Sequence, residues 1–125
     1  MVRDNKVYVV YHSGISFKVL EVFTGREQLL GLSEIASRAH LDKSAVQRSA
    51  HTLEKLGYLD QDPVSRRYML GIRVLNPAFG YLRSHPLIEK AAPILLDLRR
   101  TTGERVDLSL LDRDALVYVL RLRSM

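Results

Sequence analysis

The residues best suited to chemistry lie in one stretch, DKSAVQRSAHTLEKLGYL, residues 42–59. Lys43, Ser44, Gln47, Arg48 and His51 recur there at steps that place them on one side of a helix. All five are polar and none is acidic, so together they offer hydrogen bonds to phosphate oxygens and base edges. A glutamine amide matches the donor and acceptor of adenine, and a guanidinium matches the two acceptors of guanine. Gln47 and Arg48 are therefore the expected base readers. Lys43 and Ser44, at the helix start, are placed to hold phosphates. Taken alone, such a face is more often merely solvated.

Other chemistries find no comparable support. The chain has no cysteine, which removes disulfides, thiolate metal sites and thiol nucleophiles. His12, His40, His51 and His85 lack the spacing of metal ligands. Asp112 and Asp114 resemble a carboxylate pair, but aspartates around a turn more often serve local hydrogen bonds. No glycine-rich phosphate loop and no Ser/His/Asp arrangement is found. No enzyme activity, cofactor or metal is expected.

The reading face needs elements to hold it. On the opposite edge of its helix stand Val46, Ala50, Leu53 and Leu56, at steps of four, three and three. Asp42 suits the N-cap and Gly57 the left-handed helix end. Upstream, Ser33 suits an N-cap with Glu34 behind it at the positive helix end. Ile35, Ala36 and Ala39 form a short buried face, and His40, Leu41 and Asp42 make a three-residue connection. Two short helices joined so tightly, with alanines where they approach, are a helix-turn-helix signature. An earlier helix is expected over Ser13 to Thr24, with Ile15, Val19, Val22 and Phe23 as its edge and Gly25 as its stop. Residues 7–11, VYVVY, suit a short strand or a tail, and LLGL (29–32) an apolar bridge.

After Gly57 the period changes to two. Residues 58–62 suit a strand, 63–65 a turn and 66–70 a returning strand. This hairpin is a wing, with Arg66 and Arg67 near its tip as phosphate contacts or simply solubilising charges. Asn76-Pro77 suits a helix start, and Ser84-His85-Pro86 a break. Residues 87–100 carry a broad apolar side interrupted by Pro93. Residues 105–122 read as two strands joined at 112–114. A hairpin with open edges is expected to dimerise, swap or aggregate.

With 46% hydrophobic residues the 125-residue chain can bury a core. Its net charge of +5 is mild and spread out: 11 Lys or Arg against 8 Asp or Glu in residues 1–75, and 8 against 6 beyond. That balance permits nucleic-acid binding without requiring it, so placement of charge must decide. The longest early apolar run, Val7 to Tyr11, is too short for a signal sequence or a membrane span. A soluble cytoplasmic protein with no membrane partner is expected.

Three stretches together resemble the IclR family of bacterial transcriptional regulators: LSEIASRAHLDKSAVQRSAHTLEKLGYL (32–59), RRYMLGIRVL (66–75) and TGERVDLSLLDRDALVYVLRL (102–122). They match it in type and order, including a wing that ends in Tyr-x-Leu-Gly, and the resemblance covers about residues 13–122. It implies a winged helix that binds operator DNA as a homodimer or higher oligomer, followed by a GAF-like ligand-binding domain. It places Lys43, Ser44, Gln47 and Arg48 among the recognition-helix contacts. The wing turn departs from the family in having no glycine at Val64-Ser65-Arg66, and Pro77 falls within the usual linker helix. The expected class is α+β: a winged helix-turn-helix domain over residues 1–75, linker helices and dimerisation region over 76–103, and a truncated start of a GAF-like effector domain over 104–125. Because that domain is incomplete here, no small-molecule effector is expected for this chain. The expected DNA-binding set is Lys43, Ser44, Gln47, Arg48, His51, Arg66 and Arg67. The rival is a winged-helix module that contacts protein instead of DNA.

Overall fold

The computed structural model describes residues 2–3, 8–9, 11–26 and 29–125. Two compact units emerge, Met1–Leu75 and Asn76–Met125. The first opens with β1 (Val2–Arg3) and β2 (Tyr8–Val9), paired antiparallel. The strand expected over residues 7–11 thus holds at Tyr8–Val9. Residues 7 and 10 lie outside the described residues, and Tyr11 already belongs to helix α1 (Tyr11–Glu21). That helix starts and stops earlier than its periodicity suggested. Val22, Phe23 and Thr24 are β-branched or aromatic, poor at continuing a helix, and they form a turn instead. Val22 and Phe23 still pack on the core from that turn.

Helices α2 (Leu32–Ala39) and α3 (Lys43–Leu56) follow. The N-cap of α2 is Gly31, not Ser33, which lies in the first turn. The cause is upstream: Leu30 exchanges both backbone hydrogen bonds with Tyr68, 2.9 and 2.8 Å, so the chain arrives extended and turns at Gly31. Glu34 reaches back to accept the Gly31 N–H at 3.1 Å. The connection between the helices depends on His40, which adopts a left-handed φ of 55°. Asp42 occupies the N-cap position of α3, but its side chain makes no capping bond.

The core gathers Ile15 and Val19 from α1, Ile35 and Ala36 from α2, and Ala45, Val46, Ala50 and Leu53 from α3. Leu30, Leu59 and Tyr68 close it. Burying each aliphatic side chain contributes about 1.5–3 kcal/mol. Leu56, expected on the buried edge, is 57% exposed because it lies one turn past the last core residue of α3. The helix ends at Gly57, φ 87°, where Tyr58 N–H donates to the Leu53 carbonyl at 2.8 Å.

The hairpin pairs β3 (Leu59–Gln61) with β4 (Tyr68–Leu70) in the register Leu59 to Leu70 and Gln61 to Tyr68. The strands are shorter than their alternation suggested, because the turn takes residues 62–67. Arg66 N–H donates to the Asp62 carbonyl and Asp62 N–H to the Arg67 carbonyl.

The second unit is built on α4 (Leu75–Ser84), α5 (Pro86–Thr102) and the hairpin of β5 (Val106–Asp112) and β6 (Ala115–Leu122). A short 3₁₀ turn, Ile72–Val74, leads into α4, so that helix begins before Asn76. Pro77 sits in its first turn, where the missing N–H has no intrahelical partner to lose. His85 breaks the chain, and its Nδ1 accepts the Leu87 N–H at 3.2 Å. Helix α5 continues through Pro93. The hairpin is not left alone, since α5 packs against both of its strands.

Gly71 makes a close backbone approach in the first unit. A Cβ built there would lie well inside van der Waals contact with the Gly57 carbonyl oxygen, and that same carbonyl accepts the Arg73 N–H. Gly71 N–H also donates to Tyr58 at 2.9 Å. Gly71→Ala is therefore expected to lower unfolding free energy by about 1–3 kcal/mol, read as a shifted midpoint in urea.

Candidate nucleic-acid interface

Packing one edge of α3 against α1 and α2 leaves the other edge in solvent. Lys43, Ser44, Gln47, Arg48 and His51 are all exposed. From Lys43 to Lys55 this edge runs roughly 18 Å at helical rise, enough to lie along a duplex groove.

Beside it, α3 and the hairpin enclose an open cleft of about 730 Å³. Gln47, Arg48 and His51 line it from the helix, and Gln61, Arg66 and Tyr68 from the hairpin. Lys55 and Glu54 stand at its far end, Glu54 being the one carboxylate among the lining residues. The set is cationic and rich in donors, and it can accept a polyanion. Lys43 and Ser44 are outside the cleft, one turn earlier on the same exposed edge.

Tyr68, Gln61 and Lys55 were not in the set expected from sequence. Tyr68 is a core residue, only 5% exposed. Yet it also borders the cleft. Burial first, then the Glu54 carboxylate, push its hydroxyl above the ordinary phenol value, with Arg66 pulling the other way. The group stays protonated and remains a donor. Only the pairing of β4 beside α3 reveals this; no periodicity would.

The two hairpin arginines part company. Both lie in the turn, where Arg66 takes a left-handed φ of 63°. Arg66 lines the cleft. Arg67 turns back to α2, pairing with Glu34 at 3.0 Å and donating to the Leu29 carbonyl at 3.5 Å. Glu34 thus holds the start of α2 and the base of the turn together. Among the described residues, no group of three His, Asp or Glu side chains could hold a metal ion, and no helix is long and apolar enough to cross a membrane.

Three packed helices with a hairpin docked beside the third define a winged helix-turn-helix. Residues 14–63 match the family model of the IclR helix-turn-helix domain. Residues 79–125 match that of the bacterial transcriptional regulator IclR C-terminal region. The chain is 33% identical over 112 residues to the HTH-type transcriptional regulator KdgR of Escherichia coli, covering 86% of this chain and 43% of that protein. It is 37% identical over 101 residues to the glycerol operon regulatory protein of Streptomyces coelicolor, covering 81% and 40%. A crystal structure of an IclR family transcriptional regulator from Brucella abortus matches with a TM-score of 0.86 at 31% identity, over 99% of this chain and 46% of that one. The chain belongs to the IclR family, and it spans less than half the length of these relatives.

The hairpin turn carries a carboxylate that acid should release. The Asp62 carboxylate accepts the Ser65 N–H at 2.7 Å, and this bond, with the Ser65 hydroxyl, holds its pKa below the ordinary 3.8. A depressed carboxylate contributes stability above its unfolded value and loses it as pH falls through the folded one. The Ser65 amide resonance is expected to titrate with a midpoint below 3.8, read by NMR. A midpoint at or above that value would contradict this geometry.

Proposed function

We propose that this chain is a sequence-specific DNA-binding transcriptional regulator, not an enzyme, acting in the cytoplasm as a dimer on operator DNA. What carries this reading is the exposed, donor-rich edge of α3 continuing into a cationic cleft beside the wing. The names of the relatives, all regulators, support it. In this reading α3 enters a major groove. Gln47 and Arg48 read base edges, with His51 beside them. Lys43 and Ser44, at the helix N-terminus, hold phosphates. We assign no small-molecule effector to residues 104–125.

Dimerisation is supported by an apolar stripe on α4: Leu75, Phe79 and Leu82, spaced by four and three residues, are all exposed. Two copies could bury these stripes together. Pairing would present two α3 helices to half-sites one turn apart.

Selection from a randomised duplex library tests the reading: enrichment of a palindrome supports DNA binding and pairing together. Recovery of a protein that occupies the α3 face and that DNA cannot displace would favour the interaction module instead. Arg48→Ala should relax base preference at one position by about 1–3 kcal/mol. Lys43→Ala should weaken binding to all sequences and reduce the salt slope by about 1. Both are measured by fluorescence anisotropy across a salt series. Phe79→Glu should shift the molecule toward monomer in light scattering and lower apparent affinity for the palindrome, while binding to a single half-site persists.

A further inference from the structure

The wing turn contains a residue in an unfavourable backbone state. Arg66 sits at φ 63°, in the left-handed region that glycine occupies without strain. For an L-residue this conformation costs roughly 1–2 kcal/mol. One side-chain bond and one backbone bond hold it. Gln61 Nε2 donates to the Arg66 carbonyl at 2.9 Å, and Arg66 N–H donates to the Asp62 carbonyl at 2.9 Å. The Asp62 carboxylate ties down Ser65, and the Ser65 hydroxyl accepts the Arg67 N–H at 3.3 Å. With the backbone held this way, the Arg66 side chain borders the cleft opposite Gln47, His51 and Lys55. Its neighbour Arg67 is engaged with Glu34 and the Leu29 carbonyl.

We propose that the wing presents one DNA-contacting cation, Arg66, and that Gln61 and Asp62 are positioning residues that hold it in a strained turn for that purpose, while Arg67 anchors the turn to α2. This deepens the DNA-binding reading and rests on it. Strain maintained by dedicated bonds, at a residue whose side chain lines the cleft, is the pattern expected where function opposes stability. Gln61 also lines the cleft, so a direct contact of its own with DNA is the competing explanation. The two differ in whether its effect depends on Arg66.

The probe is a fluorescein-labelled pool of randomised duplexes, about 30 base pairs long, titrated by anisotropy over a salt series, with thermal melts alongside. Arg66→Ala should weaken binding and reduce the salt slope by about 0.9, the worth of one phosphate contact. Gln61→Ala should weaken binding by roughly three- to tenfold with a similar fall in slope, yet change affinity less than about twofold when Arg66 is already alanine. Arg66→Gly should raise the melting midpoint by roughly 2–5 °C while still losing affinity. Arg67→Ala should leave the salt slope within about 0.3 of the unaltered protein. An additive effect of Gln61→Ala in the Arg66→Ala background overturns the positioning role. So does a lower melting midpoint for Arg66→Gly. An unchanged slope in Arg66→Ala sinks the wing assignment while leaving DNA binding standing. Absence of salt-dependent binding by the unaltered protein removes both readings at once.

Discussion

The first unit depends on one buried seam. Val46, Ala50 and Leu53 of α3 press against Ile15 and Val19 of α1 and Ile35 and Ala36 of α2. These apolar groups can leave water in only one orientation of α3, so the seam fixes the helix about its own axis. The polar edge then has to face outward. The alanines matter as much as the larger residues, because small side chains let the helices approach closely enough for Val46 to be fully enclosed. Even the buried polar residue of the seam, Ser49, is satisfied: its hydroxyl meets that of Ser16 at 2.8 Å.

A second constraint links α3 to the hairpin. Gly57 ends α3, and Gly71 passes so close to its carbonyl that no side chain fits there. The Leu30–Tyr68 bridge and the Arg67–Glu34 pair hold the same hairpin from its other side. The ion pair is exposed and contributes little stability on its own. Wing and helix therefore form one surface, with Tyr68 both part of the core and on the border of the cleft.

Much of this could be read directly from residue order. The helical period of 43–56, Gly57 as its stop, the alternation after it and the break at His85 all follow from local chemistry. So does the polar edge of α3, since Lys43, Ser44, Gln47, Arg48 and His51 share one side of any helix built from these residues. The resemblance in RRYMLGIRVL also marked Gly71 as part of a motif, without saying why a glycine stands there.

What local chemistry left open was decided by partners distant in sequence. Ser33 is a sound N-cap by type, but the bridge from Leu30 to Tyr68 delivers the chain extended and moves the helix start to Gly31. Leu56 has the right period for the core and misses it because the core ends a turn earlier. Arg66 and Arg67 are alike in sequence, and only the fold, by setting a carboxylate beside one and a cleft beside the other, gives them different surroundings. The sequence by itself determined which side chains share a face and where helices can stop, because periodicity and backbone preference act over a few residues. The tertiary structure decided which caps are used, which arginine lines the cleft and why Gly71 must lack a side chain, because those depend on contacts between segments the chain order does not place together.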